Sequence, residues 1–141
     1  SIKFLQETTN IKPKNILDLA CGTGLFGNEL KKIYKKLQIK NFEQLHHYKI
    51  KFDLISLIGS MTYCKNFDKL FSNIQFYLLH KGYFAFSHRI DLWENQNFDK
   101  ILSNLSKKFD LVYRSKPNNY LPKNKDFANK IRVRLVLLQK R

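Results

Sequence analysis

The sequence predicts an α/β fold: a mostly parallel sheet with helices on both faces, closed by a C-terminal antiparallel strand pair. Three observations carry that expectation. Apolar runs recur at ILDLA (16–20), FDLISLIGS (52–60) and YFAFS (83–87), each short enough for a strand buried on both sides. Segments with helical apolar spacing separate them. Two further strand-like runs, DLVYRS and KIRVRLVLLQ, end the chain around a long loop.

Each element follows from its residues. Positions 1–14 read as a short helical lead-in ending at Pro13, and Ile16–Ala20 as a strand between that proline and Gly22. From about Gly24 a helix sets Leu25, Leu30, Ile33, Tyr34 and Leu37 in one stripe, with Lys31, Lys32, Lys35 and Lys36 in solvent. After the Phe52–Ser60 strand, Asn66 caps a helix carrying Phe67, Leu70, Phe71, Ile74 and Leu78, and Gly82 closes it. Tyr83–Ser87 is the third strand. Asn97 caps a helix whose apolar face is Phe98, Ile101, Leu102, Leu105 and Phe109. In the last strand Ile131, Val133, Leu135 and Leu137 alternate with Arg132 and Arg134, which predicts one partly wet face.

The totals bound the function. A length of 141 residues supports a single domain, 1–141, with one core. Apolar residues at 43% can fill that core, so the chain does not read as disordered. No membrane span is expected, since no uncharged apolar run reaches about 18 residues. The start SIKFLQETTN has no apolar leader segment. Cys21 and Cys64 stand in dissimilar contexts, so a disulfide scaffold is not expected and a cytoplasmic location is the default. The net charge of +15 suits an anionic partner such as nucleic acid. Its lysines are spread through KKIYKK, SKKFD and PKNKDFANK, however, which favours a solvated surface over a nucleic-acid site.

One acid stands where a buried strand has little use for it. GTGLFG (22–27) fits G-x-G-x-x-G, a weak signal by itself, and Asp18 lies in the strand just upstream. In a dinucleotide loop the glycines bring a pyrophosphate against a helix N-terminus. A carboxylate beside that phosphate bridge adds repulsion. A ligand with a cationic group would gain from the same arrangement, and S-adenosylmethionine carries both an ammonium and a sulfonium.

ILDLACGTG resembles motif I of the class I S-adenosylmethionine-dependent methyltransferases nearly residue for residue: a strand, Asp, Leu, a small residue, Cys and Gly-x-Gly. FDLISLIGSMTYCKNFDKLFSNIQFYLLHKGYFAFS is similar to the fourth strand, helix and fifth strand of that family. Within it, LLHKGYFAFS matches the Leu-x-Pro-Gly-Gly stretch with Lys81 for proline and Tyr83 for the second glycine. FDLVYRS and IRVRLVLLQ resemble the closing antiparallel pair, and NNYLPKNKDFANKIRVRLVL resembles the subgroup related to the Williams–Beuren-region methyltransferase.

The resemblance implies a Rossmann-like fold, S-adenosylmethionine as cofactor, and methyl transfer. By position it places Asp18 near the methionine end, acting through the ammonium. Ala20, Cys21, Gly22, Thr23 and Gly24 would then form the close backbone approach, with Cys21 a small buried residue. Gly59 and Ser60 would border the methyl group and substrate, and Met61 and Tyr63 would line the entrance. The family often carries a polar or acidic residue at the position of Gly59, so this glycine is a departure.

The resemblance breaks between Leu37 and Phe52. Only QIKNFEQLHHYKIK lies there, too little for the two strands and two helices of the family, since one parallel crossover takes a dozen or more residues. The fold is therefore expected to be shortened between the first helix and the fourth strand. The missing second strand would supply the acid that grips the ribose hydroxyls. Glu43 is the best substitute. In another alignment KNFEQLHHY leads into the third strand, and the second strand with its following helix is absent altogether. Residues missing from the chain, a native deletion and a degenerate relative all account for this. A real gap exposes one edge of the first strand, which a homodimer would cover.

Other residues were weighed for chemistry. His46 and His47 are adjacent and so point apart, and no ligand spacing for a metal occurs around them. His88 and Arg89 either face the pocket, where a histidine removes a proton from a nucleophile, or begin the following loop. Trp93, Tyr120 and Phe127 are candidates to cap a substrate cleft, with core or lid packing the commoner role. The expected activity is methyl transfer to a small-molecule or protein nucleophile. A non-catalytic module binding a partner or nucleic acid through its lysines is the second reading. A nicotinamide-dependent oxidoreductase is disfavoured by Asp18.

Overall fold

The computed structural model describes residues 13–19, 48–120 and 130–141. Within them the elements are β1 (Ile16–Asp18), β2 (Phe52–Leu57), a single-turn 3₁₀ helix (Met61–Tyr63), α1 (Phe67–Tyr77), β3 (Leu78–Arg89), α2 (Ile90–Asn95), α3 (Phe98–Asn104), β4 (Phe109–Arg114), β5 (Asn118–Asn119) and β6 (Arg132–Lys140). The sheet order is β1-β2-β3-β6-β4, with β5 also on β6. β1, β2 and β3 pair in parallel, whereas β6 lies antiparallel to β3, β4 and β5. Every described strand except β6 therefore runs in one direction. The parallel sheet with a closing antiparallel strand is as expected.

Alternation along the strands separates two faces. Ile55, Leu57, Phe84 and Phe86 belong to the main core together with Leu70, Phe71 and Ile74 of α1, Trp93 of α2 and Phe98 of α3. Their neighbours Leu54 and Ala85 join Leu137 in a small second cluster, with Ile16 and Tyr83 packed against it. Period-two geometry requires this split, because successive strand side chains point to opposite sides. All the described helices cover the first face. The helix expected over residues 24–37, the lead-in before Pro13 and the shortened region after Leu37 lie outside the described residues.

The main core is built on rings. Phe71 meets Phe84 at 5.9 Å and Phe86 at 6.1 Å between centroids, both edge-on. Such contacts add about 0.5–1.5 kcal/mol each beyond the area they bury. They fix α1 on the sheet.

Some boundaries differ from the sequence reading, each for a local reason. Asn66 caps α1 as expected, accepting a 2.9 Å hydrogen bond from the Lys69 amide. The helix nevertheless stops at Tyr77, and β3 begins at Leu78 rather than Tyr83. Gly82 does not close the helix. It sits in an irregularity of β3, where pairing with β2 jumps from Phe52↔Leu78 to Leu54↔Tyr83. A Cβ on Gly82 would come within 2.9 Å of the Leu79 carbonyl oxygen, so the tight turn itself demands glycine. Asn97 makes no side-chain cap. It takes φ 48° between α2 and α3, a left-handed conformation that asparagine tolerates. Phe109 opens β4 instead of ending the helix. In β6 the alternation holds only at its start, because Val136, Leu137 and Leu138 are all buried before the half-exposed Gln139 and Lys140.

Candidate functional site

The parallel strands bring three carboxyl ends side by side, the position where open α/β sheets take ligands. Asp18 ends β1 directly opposite Ser56 of β2. The Ser56 hydroxyl donates a 2.7 Å hydrogen bond to Asp18 Oδ1, and the Leu19 amide donates one of 2.7 Å to the Ser56 carbonyl. Ser56 is fully buried, so its hydroxyl holds the carboxylate in a fixed place. A hydrogen bond to an ionised oxygen is about twice as strong as a neutral one.

Ser56 lies between Ile55 and Leu57, and Ser87 between Phe86 and His88. Alternation thus puts Asp18, Ser56 and Ser87 on the sheet face opposite the aromatic core. Ser87 is buried, and its hydroxyl accepts a 2.8 Å hydrogen bond from the Gly59 amide, pinning the turn after β2. Gly59 has φ 79°, and a Cβ there would lie 2.7 Å from the Tyr120 hydroxyl. Backbone conformation and space both require glycine at this place. Tyr120 is held over it by its own amide, which donates 2.8 Å to the Ile131 carbonyl. Of the three suggested cleft caps, Tyr120 alone is placed at these strand ends among the described residues.

The remaining candidates are dispersed. Ser60 precedes the single-turn helix, whose first bond runs from the Tyr63 amide to the Ser60 carbonyl at 3.1 Å. Met61, expected at the entrance, is buried in the main core instead, while Tyr63 stands exposed at the surface. Arg89 forms a two-point ion pair with Asp91, at 2.6 and 3.1 Å. That hydrogen bond holds the Asp91 carboxyl below its usual range, but both side chains are largely in water and the pair adds little stability.

His88 points into the aromatic core. Its Nε2 meets Gln96 Oε1 at 2.9 Å, and its ring lies 4.8 Å from Phe98 and 6.2 Å from Trp93. Burial lowers its pKa and so favours the neutral ring, with the Gln96 hydrogen bond the chief opposing influence. It therefore faces away from Asp18, because it occupies the other side of β3 from Ser87. Trp93 is likewise a core residue rather than a cleft cap, 4.8 Å from Phe98 and with the Arg134 guanidinium 5.7 Å from its ring.

Ala20, Cys21, Gly22, Thr23, Gly24, Glu43, His46, His47 and Phe127 lie outside the described residues. Sequence reasoning missed Ser56 and Ser87. Their signal is a small hydroxyl residue flanked by apolar neighbours inside a buried strand, in LISL and FAFSH. Among the described residues, no helix is long and apolar enough to cross a membrane.

No protein-family model matches this chain, and no curated protein does. Solved structures do. The N-methyltransferase NodS from Bradyrhizobium japonicum WM9, in complex with S-adenosyl-L-homocysteine, is similar with a TM-score of 0.72 at 14% identity, over 98% of this chain and 84% of that one. An S-adenosylmethionine-dependent methyltransferase from Clostridium acetobutylicum gives 0.70 at 15% identity, over 98% and 88%. The PH0226 protein of Pyrococcus horikoshii gives 0.71 at 14%, over 99% and 87%. The fold of this chain is thus the one found in S-adenosylmethionine-dependent methyltransferases of class I.

Proposed function

We propose that the chain binds S-adenosylmethionine across the ends of β1 and β2 and transfers its methyl group to a nucleophile on a small molecule or a protein side chain. The observation that carries this reading is the Asp18 carboxylate, held at the end of the first strand by the buried Ser56 hydroxyl. The donor set suits that cofactor: a fixed anion for the ammonium and a left-handed glycine at the next strand end. It does not suit a pyrophosphate, which Asp18 would repel. The shared fold supports the same reading.

When bound, the cofactor supplies an electrophilic methyl group on a sulfonium. The chain's own contribution is placement. Asp18 and Ser56 hold the amino-acid end, and Ser87 locks the Gly59 turn beside it. His88, on the opposite face of β3, is not positioned to take a proton here. The reaction therefore relies on alignment and desolvation, and suits an acceptor already nucleophilic, such as a neutral amine or a thiolate.

Titration calorimetry with S-adenosylhomocysteine tests this. The wild-type chain gives saturable binding, and Asp18→Asn weakens it at least tenfold, about 1.4 kcal/mol. Absence of binding by the wild type overturns the proposal. If RNA then binds with strong salt dependence, the non-catalytic module takes its place.

A further inference from the structure

The contact between Tyr120 and Gly59 has a consequence for ligand recognition. A Cβ on residue 59 would lie 2.7 Å from the Tyr120 hydroxyl oxygen but 3.6 and 3.8 Å from Cζ and Cε2. The phenol tip alone fills the space where a side chain on residue 59 would begin. Gly59's amide is already used by Ser87 and is not the partner of the Tyr120 oxygen. Among the described residues it has no hydrogen-bond partner at all, although Tyr120 is half-buried. Such a hydroxyl is satisfied by solvent or by a ligand.

We infer that Tyr120 supplies the polar group that residue 59 lacks, and that its hydroxyl oxygen faces the charged methyl donor, favouring that donor over its demethylated product. The inference rests on the cofactor reading above. In the donor, three carbon atoms separate the ammonium from the sulfonium, a span of about 5 Å, comparable with the spacing of adjacent strands. With the ammonium at Asp18 on β1, a sulfonium lying towards β2 would approach the strand end that the Gly59 turn follows. A methyl group on a sulfonium is electron-poor, so its C–H bonds are attracted to an oxygen lone pair. The product is uncharged at sulfur and has no such methyl. Tyr120 is anchored for this role through β5, where Asn118 and Asn119 pair with Val133 and Arg132 of β6.

The test is a pair of calorimetric titrations, S-adenosylmethionine and S-adenosylhomocysteine into the full chain, for the wild type and Tyr120→Phe. The Phe variant loses about two- to fivefold in affinity for S-adenosylmethionine and keeps its affinity for S-adenosylhomocysteine. An equal change for both ligands, or none for either, overturns the role of Tyr120 while leaving the cofactor site standing. Failure of the wild type to bind S-adenosylhomocysteine removes the site and this inference with it. The contact itself is checked by Gly59→Ala. Its drop in denaturation midpoint is smaller in the Tyr120→Phe background than in the wild type, because Cβ then meets the ring edge at ordinary distance. Equal drops in both backgrounds would place the phenol elsewhere.

Discussion

The two faces of β3 are one residue apart in sequence and do opposite work. Phe84, Phe86 and His88 point into an aromatic core shared with α1, α2 and α3, where every side chain is there to be packed. Ala85 and Ser87 point the other way, towards Leu54, Leu137 and the row that ends in Asp18 and Ser56. The first face has bulk, and its buried polar atoms include the His88 ring and the Trp93 indole nitrogen. The second has small side chains and two hydroxyls that each fix a neighbour. Among the described residues, rings pack the first face, and hydroxyls on the second hold the Asp18 carboxylate and the Gly59 turn.

The largest effect that would sharpen this division comes from the core face. Phe86→Ala, at a fully buried position, should cost about 3–5 kcal/mol of stability in a denaturant titration. A cost under ~1 kcal/mol would mean that the aromatic face does not hold the sheet. On the opposite face, Ser56→Ala removes only the hydroxyl on Asp18 and should cost about 1 kcal/mol of stability. Its main effect should be on ligand affinity, with S-adenosylhomocysteine weakened several-fold. A change in stability with affinity untouched would assign Ser56 to the fold alone.

The smallest effect concerns His88. Its pKa is lowered in the folded chain, first by burial, with the Gln96 hydrogen bond and Asp91 opposing and Arg89 adding to the shift. The unfolded chain then binds a proton more readily, so His88 favours folding fully above its ordinary value of 6.5. That contribution is lost as pH falls from there through the lowered folded value. The denaturation midpoint should accordingly drop as pH falls below about 6.5, and His88→Gln should flatten that slope. An unchanged slope in the variant would show that other groups set the pH dependence.

Much of this organisation was legible in the residues. The apolar runs located β1 and β2, Asn66 announced the start of α1, and Asp18 stands at the end of β1 as its place before the glycines implied. What was not legible depended on contacts between distant segments. Gly82 looks the same as a helix stop and as the crowded turn it forms, because only the approach of the Leu79 carbonyl distinguishes them. The sequence puts Met61 at the entrance and offers Trp93 as a cleft cap or, more commonly, a core or lid residue, and packing places both in the interior.

The sequence by itself determined the alternation: which strands are apolar on both sides, where an acid interrupts them, and which residues cannot be anything but turn formers. Those are local properties of side-chain size, charge and backbone freedom. Only the tertiary structure decided that Ser56 would meet Asp18, that Ser87 would hold Gly59, and that Tyr120 would occupy the space left by a missing side chain. These partners stand 38, 28 and 61 positions apart, and register between strands is fixed by the packing of whole faces rather than by any one residue.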